Sequence, residues 1–388
     1  MQVLIVSPMP THPATQGSRQ RCFDIARAFQ KQGDSVTLMY WAAEGLEPGA
    51  LNDMEMTWED VQMISCDGHV MRRTYPDHFG IDDWYHPVIG QRITELCKQR
   101  HFDVCVVNYV WLSKTLMWLP DDCIKIIDTH DLFGGRAEKF TSIGRKPEWY
   151  YTSVEEETRG LDRADFVVAI QSDEALELKE RTRSEVVEVG YLLPPSPVRR
   201  RRAEDDDAIS LGYIGSANPF NVASVSHFCE VLSGRTLPQD VRLLASGSIC
   251  DLLKTMPRQP FTLLGRVKHL DEFYESIDVA INPMTGGTGL KIKTIEALSH
   301  GVAVVGTAEA FAGIETTEEA HQFVTIEGMV DYLQGLSRDP QAVQELRQKS
   351  IRLFNDYTNL HQGYFLNLYR KILALKQVRA ARPESAKA

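Results

Sequence analysis

The sequence lacks any uninterrupted apolar run near the ~20 residues that a bilayer-spanning helix needs. Its opening, MQVLIVSPMP, also lacks the basic start and long apolar stretch of a secretion signal. The expectation is a mature chain that begins at Met1 and works in the cytoplasm, with the inner face of the membrane as the alternative. An excess of cations is missing too: 42 Lys and Arg stand against 53 Asp and Glu, a formal net charge of −11. Nucleic-acid binding draws on clustered phosphate-neutralising cations, so no nucleic-acid partner is expected. The seven cysteines are odd in number, include no C-x-x-C pair and lie mostly in apolar segments such as Val104-Cys105-Val106. Reduced thiols are expected, neither disulfides nor a zinc site. No G-x-G-x-x-G occurs, which removes the nicotinamide and flavin dinucleotide fingerprint. The aspartate runs Asp82-Asp83, Asp121-Asp122 and Asp205-Asp206-Asp207 fall in turns and a linker, and no metal ligation is expected of them.

What is present is an ordinary globular composition, 43% hydrophobic and 24% charged over 388 residues, enough for two or three domains. Residues 2–6 are a short apolar run ended by Ser7-Pro8-Met9-Pro10. Cys22, Ile25, Ala26 and Phe29 then recur at helical spacing, and Gly33 precedes a second apolar run at 36–41. That is a βαβ opening with buried parallel strands. Further strands are expected at 104–108, 124–128, 166–170 and 186–189, with helices at 87–98 and 148–161. The stretch PPSPVRRRRAEDDDA at 194–208 has no apolar periodicity and reads as a linker. Arg199–Arg202 within it are read first as solvated and second as a contact for anionic lipid headgroups. Strand and helix alternation then restarts, with strands at 209–214, 241–245, 261–264, 278–282 and 302–305. The fold class expected is α/β, two doubly wound parallel-sheet domains in tandem. The boundaries are 1–196, a linker over 197–208, 209–355, and a C-terminal helix over 356–388 that returns to the first domain and frays at its tail. Glu155, Glu156 and Glu157, followed by Arg159 and Arg163, read as a solvated helix face.

The most informative stretch is PMTGGTGLKIKTIEALSHGVAVVGT, 283–307. A strand runs into a loop containing Gly286, Gly287 and Gly289, and a helix over 290–299 follows. Unpaired N–H groups at such a helix start form an anion seat. Lys291 and Lys293 in a first turn oppose the helix dipole at a cost of about 0.3–1 kcal/mol each, which a bound phosphate would reverse. Glu296, three residues after Lys293, lies on nearly the same face and could accept hydrogen bonds from a ribose diol.

These residues resemble the donor-site signature of the group 1 glycosyltransferases, the GT4-like retaining enzymes of GT-B fold. LDRADFVVAIQSDEALEL (161–178), LGYIGSANPFN (211–221) and LLGRVKHLDEFYESIDVAINP (263–283) fit the same family in the same order. The resemblance implies two Rossmann-like domains facing across a cleft, with a nucleoside-diphosphate sugar as co-substrate and no other cofactor. It places Lys293 on the donor diphosphate, Glu296 on the ribose, and the backbone around Arg266 and Val267 on the base. Gly287, Thr288, Gly289, Leu290 and Lys291 complete the donor loop, with Gly215 and Ser216 after the first strand of the second domain. Many relatives carry Glu where this chain has Thr288, and Arg and Lys where it has Ser216-Ala217-Asn218-Pro219.

In the first half, Gly17 and Ser18 open the first helix at the ligand edge of a doubly wound sheet, where the resemblance implies contact with the donor phosphate; a plain capping glycine is the alternative. Arg19 and Asp131 are assigned to the acceptor side. His130 follows a strand in IIDTHDLFGG, and the resemblance places such a histidine near the transferring sugar. Catalytic roles are assigned to His130 and Lys293. The expected reaction is metal-independent, retaining transfer to a hydroxyl of a glycan, lipid-linked or small-molecule acceptor, with surface polysaccharide synthesis as the common setting. A sugar-nucleotide epimerase or hydrolase, and a non-catalytic sugar-nucleotide-binding protein, are the alternatives.

Overall fold

The computed structural model describes residues 1–142, 146–199, 208–235, 237–238, 241–287 and 289–381. The chain divides into two compact units, Met1–Leu192 with His361–Ala388, and Leu193–Leu360. The division after Leu192 and Leu360 differs from the expected boundaries at 196 and 356. Of the expected linker, residues 200–207 lie outside the described residues.

The first unit is built on β1 (Gln2–Ser7), α1 (Gly17–Lys31), β2 (Ser35–Ala42), α2 (Ala50–Thr57), β3 (Asp60–Ser65), α3 (Pro87–Gln99), β4 (Val104–Asn108), β5 (Ile124–Asp128), α4 (Arg136–Ser142), α5 (Val154–Leu161), β6 (Phe166–Ala169), α6 (Ser172–Arg181) and β7 (Glu185–Glu188). Its seven strands are all parallel, in the order β3-β2-β1-β4-β5-β6-β7. Val3, Leu4, Ile5 and Val6 are all buried, because crossover helices cover both faces of a parallel sheet and a central strand has no solvent side. Val3 pairs with Val36 on one flank and Val104 on the other. The edge strand β3 was not expected from sequence. Only Ile64 in it is buried, so its composition is half polar and carries little strand signal.

The second unit contains β8 (Ile209–Ile214), α7 (Pro219–Ser233), β9 (Val241–Ser246), α8 (Ile249–Leu253), β10 (Thr262–Gly265), α9 (Leu270–Tyr274), β11 (Val279–Asn282), α10 (Ile292–Ser299), β12 (Ala303–Gly306) and α11 (Ile326–Leu336). The five parallel strands run β10-β9-β8-β11-β12. In both sheets the order reverses beside the first strand, between β1 and β4 and between β8 and β11. Doubly wound sheets bind ligands outside the carboxyl ends of the strands at such a reversal.

The final helix, α12 (Pro340–Ala380), serves both units. Val343 and Leu346 join the core of the second, while Phe365, Leu368 and Ile372 join the core of the first. There Phe365 meets Phe29 edge-on at 5.3 Å, Tyr369 donates to Asp34 at 3.1 Å, and Arg379 pairs with Asp165 at 2.5 Å. No helix among the described residues is long and apolar enough to cross a membrane.

Two local readings are corrected. The helix after the glycine loop starts at Ile292, so Lys291 is its N-cap and not a first-turn residue. The Glu155–Glu157 run is not a solvated face, since Glu156 and Glu157 are buried. Glu157 accepts from the backbone N–H groups of Phe133 and Gly134 at 2.8 and 3.0 Å and pairs with Arg181 at 3.1 Å. Glu156 accepts from Ile81 N at 2.7 Å. Buried carboxylates need partners of this kind, and loop N–H groups supply them.

Candidate functional site

In the second unit the chain leaves β11 at Asn282 and re-enters helix at Ile292. Asn282 Nδ2 donates to Thr294 Oγ1 at 2.8 Å, and Thr294 Oγ1 donates to Ala310 O at 2.7 Å, which ties strand, helix and the segment after β12 together. Gly287 adopts φ +142, a conformation that L side chains rarely take, and a Cβ there would meet Lys291 Cε at 3.3 Å. The start of α10 has no side-chain cap, so its first N–H groups keep the partial positive charge of a helix N-terminus.

The two lysines of this segment differ. Lys291 is buried, donates to Gly289 O at 2.8 Å and pairs with Glu309 at 2.9 Å. Its charge is answered within the fold. Lys293 forms no ion pair among the described residues. Its Nζ donates to Asn221 Oδ1 and lies 3.3 Å from the Tyr213 hydroxyl and 5.1 Å from that ring's centroid. Burial lowers the Lys293 pKa to about 7, with Lys291 adding to the shift and Glu296 opposing it. An ammonium held by neutral oxygens in a partly dry place is poorly solvated, and a bound anion would restore its charged form.

Both partners come from the β8 side. Tyr213 is the penultimate residue of β8 and fully buried. Asn221 lies in the first turn of α7, where Asn218 Oδ1 caps its N–H at 2.8 Å and its own Nδ2 donates to Ser216 O at 2.9 Å. Gly215 packs beside both, for a Cβ there would stand 3.0 Å from the Tyr213 hydroxyl. Behind it Gly247, at φ +95, brings its backbone so near that a Cβ would fall 2.3 Å from Gly215 O. Thus loops after β8 and β9 are locked together at the sheet's carboxyl edge, and Ala217 N donates to Ser248 Oγ at 3.0 Å.

In the first unit, the matching edge holds His130. Asn108 Nδ2 donates to Val6 O at 3.1 Å, which turns Asn108 Oδ1 toward His130 Nε2 at 2.8 Å. Nε2 therefore carries the proton and Nδ1 is left as acceptor. Burial lowers the His130 pKa to about 4, so the ring is neutral at physiological pH. Tyr109 stacks on it at 4.3 Å and faces Ser18. Asp128, 3.4 Å from His130 Nε2, is held by Arg21 at 2.5 Å with both side chains buried.

Residues 208–356 match the family model for glycosyl transferases group 1. That span covers the site built around Lys293. The family match thus lies within the second unit. No curated protein matches the chain by sequence. Among solved structures, sucrose-phosphate synthase from Thermosynechococcus elongatus is similar with a TM-score of 0.73 at 14% identity, covering 96% of this chain and 99% of that one. HepE of Anabaena in complex with UDP and glucose gives 0.66 at 12% identity, covering 95% and 100%. A mutant S. aureus TarM in complex with fondaparinux, alpha-GlcNAc-glycerol and UDP gives 0.66 at 9% identity, covering 97% and 99%. At these identities the likeness is one of fold, and the fold is GT-B.

In the second unit Gly287, Gly289, Leu290, Lys291, Lys293 and Glu296 lie on the β11–α10 segment, with Gly215 across from Lys293. Ser216 is exposed beside them. Thr288 lies outside the described residues. Arg266, which is exposed, and Val267 follow the outermost strand β10. Gly17 and Ser18 open α1 as expected. Arg19, assigned to the acceptor side, is buried against Glu44 at 2.8 Å, and Asp131 pairs with Arg136 at 2.6 Å. Tyr213 and Asn221 were not singled out from sequence. The available signal was an Asn in the first turn of the helix that follows the unit's first strand.

Proposed function

We propose that this glycosyltransferase moves a sugar from a nucleoside-diphosphate sugar to an acceptor hydroxyl, with retention at the anomeric carbon and without a metal ion, in glycan or glycoconjugate synthesis. The observation that carries the reading is Lys293: a cation with no carboxylate partner among the described residues, at the β8/β11 reversal, on the first turn of an uncapped helix. When the sugar leaves, negative charge grows on the diphosphate. Lys293 and the first N–H groups of α10 would stabilise that charge, because they are already oriented and need no rearrangement. In this reading they supply the positive charge that other transferases take from a metal. Lys291, neutralised by Glu309, shapes the loop instead. Glu296 receives the ribose, and a front-face acceptor hydroxyl passes its proton to the departing phosphate. Neutral His130, with Nδ1 as acceptor, is assigned to the sugar or acceptor hydroxyls. The HepE and TarM complexes contain UDP, which makes uridine the first base to test here.

The test is thermal denaturation with UDP, GDP, ADP and TDP in the presence of chelator, followed by product analysis with the matching sugar donors. A rise in Tm with one diphosphate, lost in Lys293→Met, together with a new glycosidic bond supports the proposal. Donor turnover without such a bond would indicate an epimerase or hydrolase.

A further inference from the structure

Four residues other than glycine have positive φ among the described residues: Tyr109 (+72°), His130 (+60°), Trp149 (+62°) and Arg258 (+66°). Three of them form one contact chain in the first unit. His130 stacks on Tyr109, and Tyr109 meets Trp149 edge-on at 5.3 Å. Side chains as bulky as Tyr and Trp are outliers in this backbone region, and strain of this kind collects at ligand-binding sites. Trp149 is also 47% exposed, unlike Trp41, Trp84 and Trp111, which are buried. The indole therefore rests one side on the buried Trp84, Trp111 and Phe133 rings and leaves the other to water.

A second observation sits beside it. The Arg136 guanidinium lies 5.8 Å from the Trp149 ring centroid and 5.3 Å from that of Phe133. One edge pairs with Asp131 at 2.6 Å, while Arg136 Nε is buried with no hydrogen-bond partner among the described residues. Buried polar groups almost always have a partner, so this guanidinium keeps hydrogen-bonding capacity that the described residues leave unused.

A pyranose ring has one face of C–H groups and a rim of hydroxyls. The first packs on an electron-rich indole, and the second needs planar, charged hydrogen-bonding groups. We propose that Trp149, Arg136 and Asp131 form a pyranose-binding subsite of the first unit that takes a sugar ring of the acceptor. The ring lies on the exposed indole face, with its rim hydroxyls directed at the Arg136–Asp131 pair, whose side chains are 12% and 16% exposed. The assignment to the acceptor rests on the transferase reading above; the pyranose chemistry does not.

The test uses the full chain labelled with 15N at tryptophan. The Trp149 indole N–H resonance is identified by its loss in Trp149→Phe and is followed during titration with maltose, cellobiose, lactose and chitobiose. Sorbitol, which has the hydroxyls without the ring, is the control. The expected result is a saturable shift with at least one ring sugar, absent with sorbitol and weakened roughly tenfold in Arg136→Met. No shift with any ring sugar, or an equal shift with sorbitol, would overturn the subsite. Trp149→Ala should raise KM for a glycan acceptor roughly tenfold while the UDP-induced change in Tm stays as in the unmodified chain. An unchanged KM would remove the acceptor role. Sugar binding at Trp149 without any nucleotide binding would defeat the transferase reading and leave the subsite standing.

Discussion

The Lys293 ammonium rests 5.1 Å from the centroid of the Tyr213 ring, on a strand that pairs directly with the one Lys293 follows. Ring, amide oxygen and ammonium are thus brought together by the fold of the second unit itself. The site keeps a cation where the fold alone would favour a neutral group, and that tension can be measured.

Because burial holds Lys293 near pKa 7, affinity for UDP-glucose, whose diphosphate stays ionised, should fall as pH rises from 7 to 9. Binding at pH 8 should take up close to one proton, read by calorimetry in buffers of different ionisation enthalpy. The sign for stability is opposite. A lysine whose native pKa is depressed costs stability fully below that pKa, and the cost is relieved as pH rises toward the unfolded value of about 10.4. Lys293→Met should therefore melt higher than the unmodified chain at pH 6, with the gap closing by pH 10, while donor affinity drops roughly 10- to 100-fold.

Gly247 and Gly265 both have positive φ, but only Gly247 is crowded, with Gly215 O 2.3 Å from its Cβ position; around Gly265 there is nothing within 4 Å. Gly265→Ala should cost about 1–2 kcal/mol of stability. Gly247→Ala should cost about 3 kcal/mol or more and weaken nucleotide binding as well, since it must displace the loop behind Tyr213. Urea denaturation and a UDP titration on each variant compare the two.

Glu157 holds the Phe133 and Gly134 N–H groups and Arg181 from a fully buried position. Glu157→Ala strands the two N–H groups and leaves Arg181 to Glu177 alone, and should destabilise by about 3 kcal/mol. Glu157→Gln keeps an acceptor and should lose less. Equal losses in chemical denaturation would show that shape, not hydrogen bonding, is what matters there.

His361 Nδ1 accepts from Gly190 N at 2.9 Å, and burial lowers its pKa to about 4. Its contribution is present above the unfolded pKa near 6.5 and is lost as pH falls through 4, with a slope of about 1.4 kcal/mol per pH unit at most. His130 and His321 are lowered in the same way, whereas Asp24, raised by burial to about 7, loses its contribution as pH rises through 7. His361→Asn retains an acceptor without the titration and should show a shallower loss of stability between pH 6.5 and 4.

Central strands were readable because burial on both faces leaves uninterrupted apolar runs, as in Val3–Val6. The edge strand β3 escaped for the opposite reason. The glycine loop and Lys293 were visible because a strand, a loop and a helix start are contiguous in sequence. Tyr213 and Asn221 were not, since what makes them partners of Lys293 is the pairing of β8 with β11 across some 60 intervening residues. The same distance effect separated Lys291 from Glu309, which lies beyond β12. Glu157 was misread because charge in a helix suggests solvent, and only the fold reveals that two loop amides point at it.

The first unit is discontinuous in the chain: its core is closed by Phe365, Leu368 and Ile372, which the ribosome adds after the whole second unit. During synthesis the second unit can finish its sheet while the Phe29 surface of the first still waits for its last helix. The nascent chain therefore exposes an apolar seam for the time taken to translate some 170 residues, on the order of 10 s at typical rates. That interval is when chaperone capture and aggregation compete with folding, so truncation before residue 361 should trap the seam open.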